Sequence, residues 1–261
     1  MIKILTLNIE NPSLERVKKL IEWVKNRSED VFVFTETKNS KGCNYLEEYF
    51  KTNKTNLFSE EIKYYVLFPK PVDNNYGVMC ISKFPLTLGV SPFSKNDSFY
   101  SRYLNFNVKK ENKIIHILGL YVPSRDQTEE KIQRKKRFLE KVQIEILKEK
   151  NNISIVCGDL NIISKTHIPY YKFFQNWEYD FYDHLINNEF IDAYSYFNPN
   201  KKEYSWVGRT NNGYRYDYFF VAKRILGSCV HCYFDHSTRY TKLSDHSAII
   251  LEILDKGEIE V

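Results

Sequence analysis

Ile153-Ser154-Ile155-Val156-Cys157-Gly158-Asp159-Leu160-Asn161 sets an apolar strand directly against a Gly-Asp-Leu-Asn turn. A run this apolar on both faces belongs in a sheet that is covered on two sides. The segment before it supplies one cover. Across residues 128–150 the apolar side chains Ile132, Phe138, Leu139 and Val142 recur at helical spacing, which predicts a long amphipathic helix. The chain opens with the same pairing. Residues 2–7 form an apolar run, Ser13 can cap a helix carrying Leu14, Val17, Leu20, Ile21 and Val24, and residues 31–34 are a fully apolar strand. Segments 64–68, 76–82, 103–108 and 114–122 read as strands rich in β-branched and aromatic residues, separated by Pro, Gly and Asn. Further strands are expected at 216–222, 228–234 and 248–254. Helices alternating with apolar strands in each half, with hairpins between, predict an α/β fold: two mixed β-sheets packed face to face with helices outside, in one domain over residues 1–261.

Composition bounds the function. With 43% hydrophobic and 27% charged residues the chain is globular in character, and no apolar run approaches the ~18 residues of a membrane span. The apolar start is broken by Lys3 and lacks a small-residue cleavage site, so it reads as a strand and the protein is expected in the cytoplasm, with no membrane and no obligate protein partner. Five cysteines at irregular spacing argue against a disulfide framework. Cys229 and Cys232 form a lone C-x-x-C inside an expected strand, with no second pair to complete a zinc site, so they are read as structural. A formal net charge of +5 mildly favours a polyanionic partner. The densest basic run, residues 131–141, is read as a solvated helix face.

Polar clusters end several of the apolar runs. Asn8 and Glu10 follow the first strand, two apart on one face of an extended segment, and Glu36 follows the second; if those strands are neighbours, all three converge as oxygen ligands for a hard cation. Asp159 and Asn161 are likewise two apart, with Gly158 allowing a tight turn; the carboxylate can take a proton from water that the amide positions. Asp217 precedes the apolar Phe219-Phe220-Val221, where a carboxylate needs a partner, and His246 is the candidate: an adjacent Asp holds the imidazole's tautomer and favours its charged form. Asp245 stands beside it.

The ordered set Leu7-Asn8-Ile9-Glu10, Thr35-Glu36-Thr37-Lys38, Leu120-Tyr121-Val122-Pro123, Gly158-Asp159-Leu160-Asn161, Tyr204-Ser205-Trp206, Arg215-Tyr216-Asp217-Tyr218 and Ser244-Asp245-His246 resembles the endonuclease/exonuclease/phosphatase superfamily, and within it the exonuclease III type of apurinic/apyrimidinic endonuclease. The resemblance implies a four-layer α/β sandwich and a Mg²⁺-dependent phosphodiester hydrolase, with Mn²⁺ as a substitute ion, acting on DNA in repair as an abasic-site endonuclease or 3′ exonuclease. It implies Glu36 as principal metal ligand with Asn8 and Asp245, and Glu10 at a variable position. Asp159 would activate the attacking water and Asn161 would position it. Tyr121 would bind the phosphate or assist the leaving oxygen, and Asp217 with His246 would stabilise the pentacovalent transition state. Trp206, Tyr214 and Tyr216 fall where that type walls a pocket for a flipped abasic sugar. Arg102, Arg125, Arg209 and Arg215 are candidate phosphate contacts, because guanidinium forks suit phosphate oxygens. The chain departs from the pattern in a short 161–190 segment, in Ser124-Arg125 after the Tyr-x-Pro motif, and at Glu10. Two other classes stay open: a phosphatase or phosphodiesterase acting on a lipid, inositol or small nucleotide, and a non-catalytic nucleic-acid binder. A binder would be expected to have lost at least one of these polar residues.

Overall fold

In the computed structural model, residues 1–52 and 63–254 are described. The first half runs β1 (Ile2–Asn8), α1 (Leu14–Lys25), β2 (Val31–Thr37), α2 (Lys41–Thr52), β3 (Tyr65–Leu67), β4 (Gly77–Ser82), β5 (Leu86–Leu88), β6 (Tyr103–Lys110) and β7 (Lys113–Tyr121). The second runs α3 (Glu129–Glu149), β8 (Ile155–Asp159), α4 (Asn176–Asn187), β9 (Phe190–Asp192), α5 (Ala193–Phe197), β10 (Trp206–Val207), β11 (Gly213–Tyr214), β12 (Asp217–Ala222), β13 (Cys229–Asp235), α6 (Ser237–Tyr240) and β14 (Ala248–Ile253). Two six-stranded sheets result, ordered β13-β14-β1-β2-β4-β3 and β5-β6-β7-β8-β12-β9, with β10 and β11 as a separate hairpin. Each large sheet is mixed: β1 runs parallel to β2 and β7 parallel to β8, while the other pairings are antiparallel.

The fully apolar strands are explained by burial on both faces. In β2, Val31 and Val33 join the core between the sheets, whereas Phe32 and Phe34 pack under α1 and α2 with Val17, Leu20, Ile21, Leu46 and Phe50. In β8, Ile155 and Cys157 face the inter-sheet core, and Val156 packs with Phe138, Leu139 and Val142 of α3 and Phe181 and Leu185 of α4. The layers are helix, sheet, sheet, helix, as the element order predicted. The Ser13 hydroxyl caps α1 by accepting from the Arg16 amide at 3.2 Å. Cys229 and Cys232 are buried free thiols of β13, in keeping with a structural role.

Two local expectations are corrected and two helices are added. Gly158 makes a close approach between strands: its φ is +125°, and a Cβ there would stand 2.1 Å from the Leu120 carbonyl oxygen of the adjacent β7. The basic run of α3 is largely solvated, but Lys135 is only 1% exposed. Finally α2 and α4, which the sequence reading leaves unassigned, complete the outer layers.

Strand polarity puts one set of ends on one rim. β1, β2, β7 and β8 finish there, and the antiparallel β12 and β14 begin there. Asn8, Glu36, Tyr121, Asp159, Asp217 and His246 occupy or adjoin those ends.

Candidate active site

Register aligns one side of the site. Tyr121 pairs with Asp159 across β7 and β8, and Asp159 pairs with Asp217 across β8 and β12, so three polar side chains stand in a row at the end of one sheet. The other sheet contributes Asn8 and Glu36 from parallel neighbours, together with the loop entering β14. That loop is fixed from several sides. The Ser244 hydroxyl donates to the Asn8 carbonyl at 2.6 Å and accepts from the His246 amide at 3.0 Å, while the Thr238 hydroxyl donates to the His246 carbonyl at 2.6 Å.

Three hydrogen bonds then stitch the two sheets together at the rim. Asn8 Nδ2 donates to Asp159 Oδ2 at 2.9 Å, Tyr121 Oη donates to Glu36 Oε1 at 2.8 Å, and His246 Nδ1 lies 2.7 Å from Asp217 Oδ2. The second oxygen of Asp217 is buried with no hydrogen-bond partner. Backbone strain accompanies this arrangement: Glu36 has φ +58° at an irregularity in the β2–β4 pairing, and Asn161 has φ +48°. The bulge is what turns Glu36 out of the ladder and into the cleft.

The electrostatics follow from burying several carboxylates together. Burial raises Glu36 above the usual carboxylate range, against the opposing hydrogen bond from Tyr121. Burial and the neighbouring Asp217 push Asp159 up to about 7, although His246 and Asn8 oppose the rise. For His246, burial alone would lower the pKa, but the charge and hydrogen bond of Asp217 outweigh it and raise the imidazole to about 10. It is therefore an imidazolium at neutral pH, with Nδ1–H committed to Asp217 and Nε2–H the remaining donor. Burial drives the Tyr121 phenol well above its ordinary value, which keeps it a donor.

This donor set fits a hard divalent cation. Burial disfavours the ionised forms of Glu36 and Asp159, and a cation would restore them. Asp159, Asp217 and His246 also place possible ligand atoms within 4.8 Å of one another. A charged imidazole is no ligand, however, so the better holders are Glu36, Asn8 and the partly exposed Asp245, all oxygen donors on the cleft wall.

A cleft of about 280 Å³ contains Asn8, Glu36, Tyr121, Asp159, Asn161, Asp245 and His246, thus gathering most of the residues singled out in the sequence. Trp206 and Tyr216 wall it, and Trp206 Nε1 donates to Asp245 Oδ2 at 2.8 Å. Tyr214 instead stands behind this wall, its ring stacked on Tyr171 at 4.2 Å and on Tyr216 at 5.1 Å. Glu10 does not join the cluster. The chain leaves extended geometry at Glu10 (φ +47°), and its carboxylate pairs with Arg16 at 2.6 Å.

Three of the four candidate arginines direct their guanidinium groups at protein partners, and the fourth, Arg209, is free to solvent. Arg102 is buried beneath Tyr121, 4.7 Å from its ring centre, and donates to the Tyr121 carbonyl at 3.3 Å. Arg215 is buried against Asp192 at 2.7 Å and Ser195 at 3.0 Å. Arg125 reaches the cleft wall, but its guanidinium is committed to Glu178 and to the Phe173 carbonyl at 2.8 Å. Arg209 is exposed beyond β10.

Sequence reasoning missed Ser124, Lys135, Phe173 and Phe174, which also line the cleft. A signal for Lys135 existed: it precedes Phe138, Leu139 and Val142 by three, four and seven positions and so sits on the apolar stripe of α3. The aromatic pair lies in a loop with no periodicity to read.

Residues 5–246 match the family described as Endonuclease/Exonuclease/phosphatase family. No curated protein matches the sequence. Among solved structures, the fold is similar to that of an AP endonuclease from Archaeoglobus fulgidus, with TM-score 0.77 and 21% identity over 97% of this chain and 99% of that one. It is also similar to a 3′ phosphatase from Neisseria bound to a product DNA hairpin, with TM-score 0.80 and 16% identity over 97% and 99% of the two chains. An AP endonuclease from Leishmania major shares the fold with TM-score 0.75 and 16% identity over 98% of this chain and 88% of that one.

Proposed function

The chain belongs to the endonuclease/exonuclease/phosphatase family, and on that premise we propose that it is a Mg²⁺-dependent phosphodiester hydrolase acting on DNA, at abasic sites or at 3′ ends. The observation that carries this reading is the buried Asp217–His246 pair, 2.7 Å apart, whose imidazole lines the cleft that also holds Glu36 and Asp159. A charged imidazole beside cation-binding carboxylates suits a substrate that brings its own negative charge.

The residues divide the work by position. Glu36, Asn8 and Asp245 would hold the cation, which when bound supplies charge neutralisation at the phosphate and at the leaving oxygen. Asp159 accepts a proton from a water held beside Asn161, directing it in line at phosphorus. Asn161 is itself fixed, donating from its backbone N to Asp159 Oδ1 and from Nδ2 to the Val122 carbonyl, each at 3.0 Å. His246 donates from Nε2 to a non-bridging phosphate oxygen as charge builds on it, while Asp217 keeps the ring oriented and charged. Tyr121, a neutral phenol, donates to Glu36 Oε1 at 2.8 Å and so orients that carboxylate.

DNA is favoured as substrate by the net charge of +5 and by an aromatic wall of Phe173, Phe174, Trp206 and Tyr216 beside the catalytic floor, a surface suited to an extruded sugar or an unpaired terminal base. The relatives in structure described as AP endonucleases and a DNA-bound 3′ phosphatase support the same class. The test is a panel of abasic duplex, intact duplex, single-stranded DNA, RNA and soluble phosphoesters with Mg²⁺. Turnover confined to small phosphoesters would favour the phosphatase alternative, and absence of any turnover would favour the non-catalytic binder.

A further inference from the structure

Lys135 is an ammonium set inside the wall of the catalytic cleft, and the mechanism above leaves it without a role. Its side chain is 2% exposed. Burying an unpaired ammonium is costly enough that the group must be compensated. Lys135 Nζ donates to Glu178 Oε1 at 2.6 Å and to the carbonyl oxygen of Asn161 at 2.6 Å. Glu178 completes its own coordination with Arg125 Nε at 3.1 Å and the Gln175 amide at 3.0 Å. Arg125 in turn donates to the Phe173 carbonyl at 2.8 Å and lies 4.3 Å from the centre of the Phe173 ring. One buried charge cluster thus links α3, α4, the Asn161 loop and the aromatic wall.

The contact with Asn161 is the informative one. Asn161 has φ +48°, in the left-handed region that Asn enters more readily than other non-glycine residues, so the direction of its peptide is set by the partners that hold it. Its backbone N is held by Asp159 and its side-chain amide by Val122, which leaves the carbonyl as the group whose direction Lys135 sets. Rotating that peptide would swing the amide side chain relative to Asp159. Small displacements of a positioning group lower turnover more than they weaken binding.

We propose that Lys135 is a positioning residue: through the Asn161 carbonyl it holds the Asn161 side chain in register with Asp159, and Glu178 and Arg125 serve to keep its charge buried there. The assignment to catalysis rests on the phosphodiesterase reading of the site, whereas the coupling of Lys135 to Asn161 does not.

The test compares the wild type with Lys135→Met and Lys135→Gln, with exposed Arg137→Met as a control, by turnover on the best substrate of the panel and by NMR of the Asn161 backbone and side-chain amides. Lys135→Met leaves Glu178 its Arg125 counter-charge, and Lys135→Gln retains a donor should the Met variant fold poorly. Expected is a fall in kcat of about 10- to 100-fold for Lys135→Met with KM changed by less than about threefold, a smaller fall for Lys135→Gln, and shifted Asn161 amide signals in both variants, with the larger shift in Lys135→Met. Arg137→Met should leave every readout unchanged. A folded Lys135→Met or Lys135→Gln protein with wild-type kcat, or with Asn161 signals where the wild type has them, overturns the proposal. If the wild type cleaves none of the substrates, the phosphodiesterase reading fails and the NMR arm still decides the coupling.

Discussion

His246 Nδ1 and Asp217 Oδ2 lie 2.7 Å apart in a site where Asp217 is fully buried. The pair is expected to keep the imidazole charged across the neutral range, because its pKa is raised to about 10 despite burial. A group raised in the folded state contributes stability that is fully present below its unfolded value of about 6.5 and is lost as pH climbs through the folded value. Metal-free wild type should therefore lose stability between about pH 7 and pH 10, and Asp217→Asn should flatten that loss. NMR titration of His246 checks it directly: in Asp217→Asn the midpoint falls toward neutrality, and kcat falls by about 10²- to 10⁴-fold.

Glu36 is predicted to be the residue through which cation binding is felt. Mg²⁺ should raise the melting temperature of the wild type, and Glu36→Gln should abolish that rise together with activity. Because burial disfavours the Glu36 carboxylate, metal-free Glu36→Gln should be no less stable than metal-free wild type at neutral pH. Thermal melts with and without chelator make the comparison.

Gly158→Ala should damage the fold more than the chemistry alone would suggest. With φ at +125° and the Leu120 carbonyl oxygen 2.1 Å from the new Cβ, the β7–β8 pairing beside Asp159 must open. A loss of about 3 kcal/mol or more in denaturant unfolding is expected.

Trp206 both walls the cleft and holds Asp245 through its indole N–H at 2.8 Å. Trp206→Phe keeps most of the wall and removes the hydrogen bond, so it should weaken the apparent Mg²⁺ affinity more than it changes KM for DNA. Trp206→Ala loses both and should lower kcat/KM by about tenfold or more. Metal titrations at saturating and limiting DNA separate the two effects.

Much of this site was legible because its residues stand where apolar strands stop. Asp217 before Phe219-Phe220-Val221 demanded a partner, and His246 is that partner. Asn8 and Glu36 met because β1 and β2 are parallel neighbours. What sequence periodicity cannot show is a local change of backbone hand. Alternation along an extended segment places Glu10 beside Asn8, but the positive φ at Glu10 sends it to Arg16, while a positive φ at Glu36 brings that carboxylate inward. Arginine suits phosphate and buried carboxylate equally, so residue type did not separate a DNA contact from the partners that Arg215 and Arg125 have in Asp192 and Glu178. The helix α2 carries Cys43, Leu46 and Phe50 at helical spacing, and α4 has a Gln175–Glu178 capping box, signals that are short and flanked by polar residues.

The cleft lined by Glu36, Asp159 and His246, with Asp217 buried behind the imidazole, is proposed to hydrolyse DNA phosphodiesters with a divalent cation. The most direct measurement incubates the purified protein and its His246→Ala variant with duplex DNA bearing a synthetic abasic site or a recessed 3′ end, with Mg²⁺ or with chelator. Cleavage by the wild type with Mg²⁺ only, lost in the variant, is the predicted result. Cleavage that survives His246→Ala or chelation, or hydrolysis of soluble phosphomonoesters without any cleavage of DNA, would contradict it.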